Sequence, residues 1–317
     1  VLNGEVNPSG RTVDIYAADF KKDPTFANFA TNYTSRYSNE AGSSAGINFV
    51  EYDEGIYMGY RYYETRGFEE GGSWYDENVV YPFGYGLSYT TFEWDVKFRT
   101  NTLTADGDVV VDVTVTNTGD VAGKDVVELY YTAPYTEGEI EKSQVVLGAY
   151  EKTGLIQPGM SDTVPLTMSV RTMASYDYND ANANGIKGYE LDDGDYTIYV
   201  GANSHVWADE AAESKVYTLE DEIYYETDEV SGTKVENRFD YMSDYFDENA
   251  ESTFAGHSSV MSRADFENTF PKAPTAEQAT LTPEEVNECT YSTATPEYDE
   301  GQPWYTDEMP QQAEETQ

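Results

Sequence analysis

The residues most suggestive of chemistry are the oxygen-bearing side chains in Asp180-Ala181-Asn182-Ala183-Asn184-Gly185. Carboxylate and amide oxygens at alternate positions, followed by a glycine that permits a sharp turn, form the first half of a calcium loop. The closing carboxylate of such a loop would fall at Leu191, which cannot ligate, and Glu190 and Asp192 stand on either side of it. The register is one residue off. Asp180, Asn182, Asn184 and Glu190 are therefore the candidate metal ligands, and Ca2+ is the only cofactor suggested. Clusters of Asn and Asp also build ordinary turns through side chain to backbone bonds, and that reading stands beside the first.

Other constellations are weaker. A pair of carboxylates can do acid/base work on a glycosidic bond, but it must flank the bond at roughly 5–9.5 Å. Among 60 acidic residues, abundance alone selects no pair. Asp53-Glu54, beside Tyr52, Tyr57, Arg61 and Tyr62, is the most site-like local group. The plainer reading has Arg61 bonding a neighbouring carboxylate or carbonyl while the tyrosines pack. Ser9, Ser88 and Ser143 lack a nucleophile elbow, and Gly84-Tyr85-Gly86 is too short for a phosphate-cradling loop. The two histidines, His205 and His257, lie far apart, and Cys289 is the only cysteine. An internal disulfide, a cysteine-based zinc site and a Ser-His-Asp triad are all poor readings. Asn32-Tyr33-Thr34 matches a glycosylation acceptor, a triplet common by chance.

The elements around these residues are mostly strands. Val109, Val111, Val113 and Val115 alternate with Asp112, Thr114 and Thr116, the pattern of a half-buried strand. Val126–Tyr131, Val145–Tyr150, Thr163–Val170 and Tyr196–Val200 continue the series, and Lys215–Glu226 reads as the last strand. Turn signals at Asn117-Thr118-Gly119-Asp120, Gln157-Pro158-Gly159 and Asp192-Asp193-Gly194-Asp195 separate them. The expected fold class is mainly β, an antiparallel β-sandwich over residues 90–226. Upstream, 1–66 is a mixed segment too short to bury a core alone. Within it Val13–Ala17 is strand-like, Asp23-Pro24-Thr25-Phe26 opens a short helix, and Ile56–Tyr63 is helix or strand. Residues 67–89 form an aromatic and glycine-rich junction. Residues 227–317 form an acidic tail poor in aliphatics, expected to be irregular or to extend over a partner surface.

Composition narrows the partners. With 18 basic against 60 acidic residues the formal net charge is −42, which repels nucleic acid and anionic membranes. No apolar run approaches the ~18 residues of a membrane span. The 29 tyrosines suit either sugar-facing surfaces or a half-buried sheet. The chain starts at Val1 without a signal-peptide pattern and is expected to be an excised or processed piece.

Several segments resemble glycoside hydrolase family 3, of the β-glucosidase and β-xylosidase type. Gly4-Glu5-Val6-Asn7-Pro8-Ser9-Gly10-Arg11 is similar to an Asn-Pro-Ser-Gly turn near the end of its α/β sandwich domain. Glu54-Gly55-Ile56-Tyr57-Met58-Gly59-Tyr60-Arg61-Tyr62-Tyr63 is similar to a second segment of that domain. Tyr81-Pro82-Phe83-Gly84-Tyr85-Gly86-Leu87-Ser88-Tyr89-Thr90-Thr91-Phe92 resembles the junction into the family's fibronectin type III-like domain. Val113–Val121 and Val126–Tyr131 resemble strands of that domain. Met261-Ser262-Arg263-Ala264-Asp265-Phe266-Glu267-Asn268-Thr269-Phe270-Pro271 resembles the linker of a domain-swapped subgroup from gut bacteria, in which these domains precede the catalytic barrel.

The resemblance implies a fibronectin type III-like sandwich over 90–226, preceded by the end of an α/β domain. It also implies that the chain is a non-catalytic portion of a retaining β-glycosidase. The implied partners are a catalytic barrel, in the same or a separate chain, and a β-linked oligosaccharide. The family's catalytic Asp and Glu motifs map onto no residue here, so no catalytic residue is assigned and the chain alone is expected to be inactive. The competing readings are a carbohydrate-binding or adhesion module and one chain of a split enzyme.

Overall fold

In the computed structural model the described residues are 1–26, 36–39, 44–48, 52–207, 209–237, 260–272 and 280–283. Before the sandwich come β1 (Tyr16–Ala17), β2 (Arg36–Asn39), β3 (Ser44–Asn48), α1 (Tyr60–Glu70), α2 (Trp74–Asn78) and β4 (Val79–Tyr81). The sandwich strands are β5 (Phe92–Phe98), β6 (Asp108–Asn117), β7 (Val126–Thr132), β8 (Val146–Lys152) and β9 (Ser161–Ser169). They are followed by β10 (Ser175–Asp177), β11 (Gly188–Leu191), β12 (Gly194–Gly201), β13 (Glu213–Leu219) and β14 (Ile223–Tyr225). After them come α3 (Phe266–Thr269) and β15 (Thr280–Leu281).

The valine alternation becomes the inward face of β6. Val109, Val111, Val113 and Val115 are each wholly buried, and each such burial contributes about 1.5–3 kcal/mol. Strand β6 lies between β5 and β9 in one antiparallel sheet, and the second has the order β13-β12-β7-β8. Leu166 and Met168 of β9, Val127 and Leu129 of β7, and Ile198 and Val200 of β12 complete the core between them. Pro165 sits opposite Asp112 on the outer strand β9, where a missing N–H leaves no ladder bond unmade. A small third sheet, β10-β11-β14, continues the fold.

The tyrosines mostly follow the plain reading. Around the core the hydroxyls of Tyr131, Tyr196, Tyr217 and Tyr225 donate to the carbonyls of Thr172, Asp192, Thr100 and Ala105. Each ring is buried while its polar tip finds a backbone acceptor.

Three expectations change. The boundary at residue 66 falls inside α1, which runs to Glu70 and stops at Gly71. The last strand, read as Lys215–Glu226, is two strands, β13 and β14, in different sheets. Within the expected irregular tail, residues 261–270 fold back onto α1 because Met261 and Phe266 supply buried apolar anchors. The short helix at Pro24–Phe26 is present, and of the strand-like Val13–Ala17 only Tyr16–Ala17 pairs. Asn32-Tyr33-Thr34, His257 and Cys289 lie outside the described residues.

Candidate functional site

The segments singled out for resemblance converge on one flank of the sandwich. Asn7 receives the Tyr89 N–H at 2.8 Å and donates to the Ala122 carbonyl at 3.3 Å. Arg11 pairs with the buried Asp125 at 2.5 Å, and Trp94 of β5 donates to the same carboxylate at 2.8 Å. The junction is held on both sides: the Gly84 N–H donates to Thr12, and the Phe83 carbonyl accepts from Ser204. Gly84 has φ +82°, and a Cβ there would come within 2.3 Å of a Glu128 carboxylate oxygen and 2.9 Å of Asn203 Cα. Only glycine permits both the backbone conformation and this approach.

Helix α1 carries the most connected group. Glu64 is wholly buried. One of its oxygens accepts from the Tyr75 hydroxyl at 2.7 Å and from Ser204 at 2.6 Å. The other bonds Trp207 Nε1 at 3.0 Å and lies 2.9 Å from His205 Nδ1. The His205 ring stacks on Tyr75 at 3.5 Å between centroids. A carboxylate with four partners is fully satisfied and holds a position. Burial, then the Glu64 charge, push the Tyr75 hydroxyl pKa up, so it stays a donor. On the same helix, Thr65 accepts the Gln144 N–H at 2.9 Å and Tyr60 accepts the Leu147 N–H at 2.9 Å.

The linker-like segment closes this clasp. The Met261 N–H donates to the Asp53 carbonyl at 2.6 Å. Glu141 receives the Tyr57 hydroxyl, Ser262 Oγ at 2.6 Å and the Arg263 N–H at 3.0 Å. The buried Arg263 guanidinium pairs with Glu69, donates to Gln144 Oε1 at 2.7 Å and lies 4.5 Å from the centre of the Tyr135 ring. Phe266 meets Tyr57 and Tyr62 edge-on at 5.1 and 5.8 Å.

Asp53 and Glu54 are buried within this packing. Tyr57 and Tyr62 pack as the plainer reading had it. Arg61 does not follow that reading: among the described residues its guanidinium meets no carboxylate or carbonyl. It lines a cavity of about 230 Å3 with Tyr131, Lys142, Ser143 and Tyr176. Sequence reasoning missed Glu64, although a glutamate among the aromatics of Tyr60-Arg61-Tyr62-Tyr63 was a signal that its face is not solvent.

The Asn-rich loop joins β10 to β11, where Asp177 pairs with Gly188. Glu190 reaches the loop despite its offset. Its Oε2 accepts from Asn184 Nδ2 at 2.6 Å and Asn182 Nδ2 at 3.4 Å, while Asp180 Oδ1 accepts the Gly185 N–H at 2.8 Å. Among the described residues no three or more His, Cys, Asp or Glu side chains form a metal-holding group. This set is amide-rich.

Two antiparallel sheets closed over a valine core define a fibronectin type III-like sandwich, and residues 125–204 match the family model described as a fibronectin type III-like domain. The chain is 38% identical over 216 residues to β-glucosidase A of Butyrivibrio fibrisolvens, covering 64% of this chain and 23% of that protein. A β-glucosidase structure from Paenibacillus barengoltzii superposes with a TM-score of 0.56 at 36% identity, over 70% of this chain and 22% of that one. The family 3 β-glucosidase of Bifidobacterium adolescentis does so with a TM-score of 0.52 at 28% identity, over 73% and 29%. The resemblance to glycoside hydrolase family 3 therefore holds, across the sandwich and the segments that flank it. The chain spans less than a quarter of the length of the first of these relatives.

Proposed function

We propose that this chain is the non-catalytic scaffold of a retaining β-glycosidase, holding the family's α/β and barrel parts against a rigid sandwich. The observation that carries the reading is the clasp. Asn7-Arg11, Glu54–Tyr63, Tyr81–Phe92 and Met261–Pro271, the segments that resemble the family, all bond to the sandwich or to α1 and not to one another's carboxylates across an open cleft. The buried carboxylates of Glu64 and Asp125 at these contacts are hydrogen-bonded through both oxygens, as positioning requires. In the whole enzyme, one carboxylate would attack the anomeric carbon and a second carboxyl group would protonate the leaving oxygen. Neither is assigned to a residue of this chain. The similarity of Met261–Pro271 to a domain-swapped linker supports a barrel that follows this segment.

The test is hydrolysis of an aryl β-glucoside by the purified chain. No turnover above the uncatalysed rate is expected. Turnover that persists in Asp53→Asn and Glu54→Gln variants would show an active site elsewhere in the chain and end the scaffold reading.

A further inference from the structure

Glu190 presents a problem in charge that its neighbours do not solve. The residue is wholly buried on β11. Its Oε2 takes both loop amides, but its Oε1 has no hydrogen-bond partner. Asp192, just past the end of β11, also has a buried oxygen, Oδ1, without a partner, although its Oδ2 meets Lys142. Asp177 at the mouth of the loop spends both oxygens on the N–H groups of Asn179 and Ala181, at 3.0 and 2.7 Å. Burying a carboxylate costs several kcal/mol unless a cation or a proton offsets its charge.

We propose that Asp180, Asn182, Asn184 and Glu190 bind a calcium ion at the β10–β11 loop. The donor set is all oxygen once the two amides turn Oδ1 in place of Nδ2 toward Glu190. Hard cations of this size accept carboxylate, amide and backbone oxygens together in irregular geometry, whereas Mg2+ demands a near-ideal octahedron. That turn gives up the backbone N–H bonds that Asn182 Oδ1 and Asn184 Oδ1 now accept, at 3.3 and 2.8 Å, and coordination of the ion must offset their loss. Oε1 of Glu190 supplies the unspent carboxylate oxygen. Only two carboxylates, Asp180 and Glu190, belong to the set, so the affinity belongs to the weak class, on the order of 0.1–1 mM. Burial, ahead of the Asp192 and Asp177 charges, raises the Glu190 pKa, and the amides of Asn184 and Asn182 oppose that rise. Protonation is thus the competing way to neutralise the group.

The test is thermal unfolding of the full chain in EDTA, in millimolar CaCl2 and in millimolar MgCl2, with calorimetric titration of Ca2+ alone. Calcium is expected to raise Tm by several degrees and to titrate with about one site, with Mg2+ giving a clearly smaller rise. Glu190→Gln should lose the calcium increment. Asn182→Ala with Asn184→Ala, changed in the loop and not in the strand, should lose it too if Glu190→Gln fails to fold. Equal shifts with Ca2+ and Mg2+ would mean screening of the acidic surface and would overturn the proposal. So would a calcium-independent wild-type Tm, or an increment that survives in the variants.

Discussion

Glu128 on β7 shows how one residue records the packing around it. It is buried beneath Gly84 of the junction and accepts the Tyr130 hydroxyl at 2.7 Å. Burial pushes its pKa up from 4.5 to about 7, against the opposing bond from Tyr130 and the charge of Arg11. The folded chain therefore holds this proton more tightly than the unfolded chain does. The stabilisation is complete below about pH 4.5 and is lost as the pH rises through about 7, in total about 3 kcal/mol. Glu128→Gln, which keeps an acceptor for Tyr130, is expected to flatten the fall in stability between pH 5 and 8, as followed by urea unfolding. An unchanged slope would show that Glu128 titrates normally.

At the scale of elements, the clasp of α1 with residues 261–270 is the feature on which the scaffold reading depends. Phe266 is its apolar anchor, packed on Tyr57 and Tyr62. Phe266→Ala is expected to remove about 3–5 kcal/mol of local packing. Hydrogen exchange should then quicken in α1 and in 261–270 while the β6 amides keep their protection. Uniform quickening would show instead that the clasp and sandwich open as one unit. The strands were legible where the pattern was long. Val109 to Val115 alternates over enough residues to fix which face is buried, and β7, β9 and β12 followed from similar runs. Strand β5 lies outside the runs that read as strands in the sequence, although Phe92, Trp94, Val96 and Phe98 alternate with polar residues as clearly as the valines do. The third sheet was hidden because β10, β11 and β14 are three or four residues each, too short for a period to show.

At the scale of the whole molecule, the contacts that define the candidate sites are those that sequence reasoning reaches least. Glu64 bonds Ser204 across 140 residues and Arg263 bonds Glu69 across 194. A glutamate on a helix and an arginine in an acidic tail look like solvated charges until a distant loop covers them. Glu190 was placed beside the calcium loop from sequence, but only the pairing of β10 with β11 brings its carboxylate to Asn184. The family resemblance was legible because its motifs are the clasp itself: glycines where backbones touch, aromatics where they pack, and Arg11 where a buried carboxylate needs a cation.

The most direct measurement of the scaffold reading is the rate of aryl β-glucoside hydrolysis by a barrel-bearing family 3 polypeptide, supplied with and without this chain. The barrel polypeptide is expected to be nearly silent alone and to gain turnover when the chain is added. A barrel equally active without the chain, or a mixture in which the two never associate, would contradict the account.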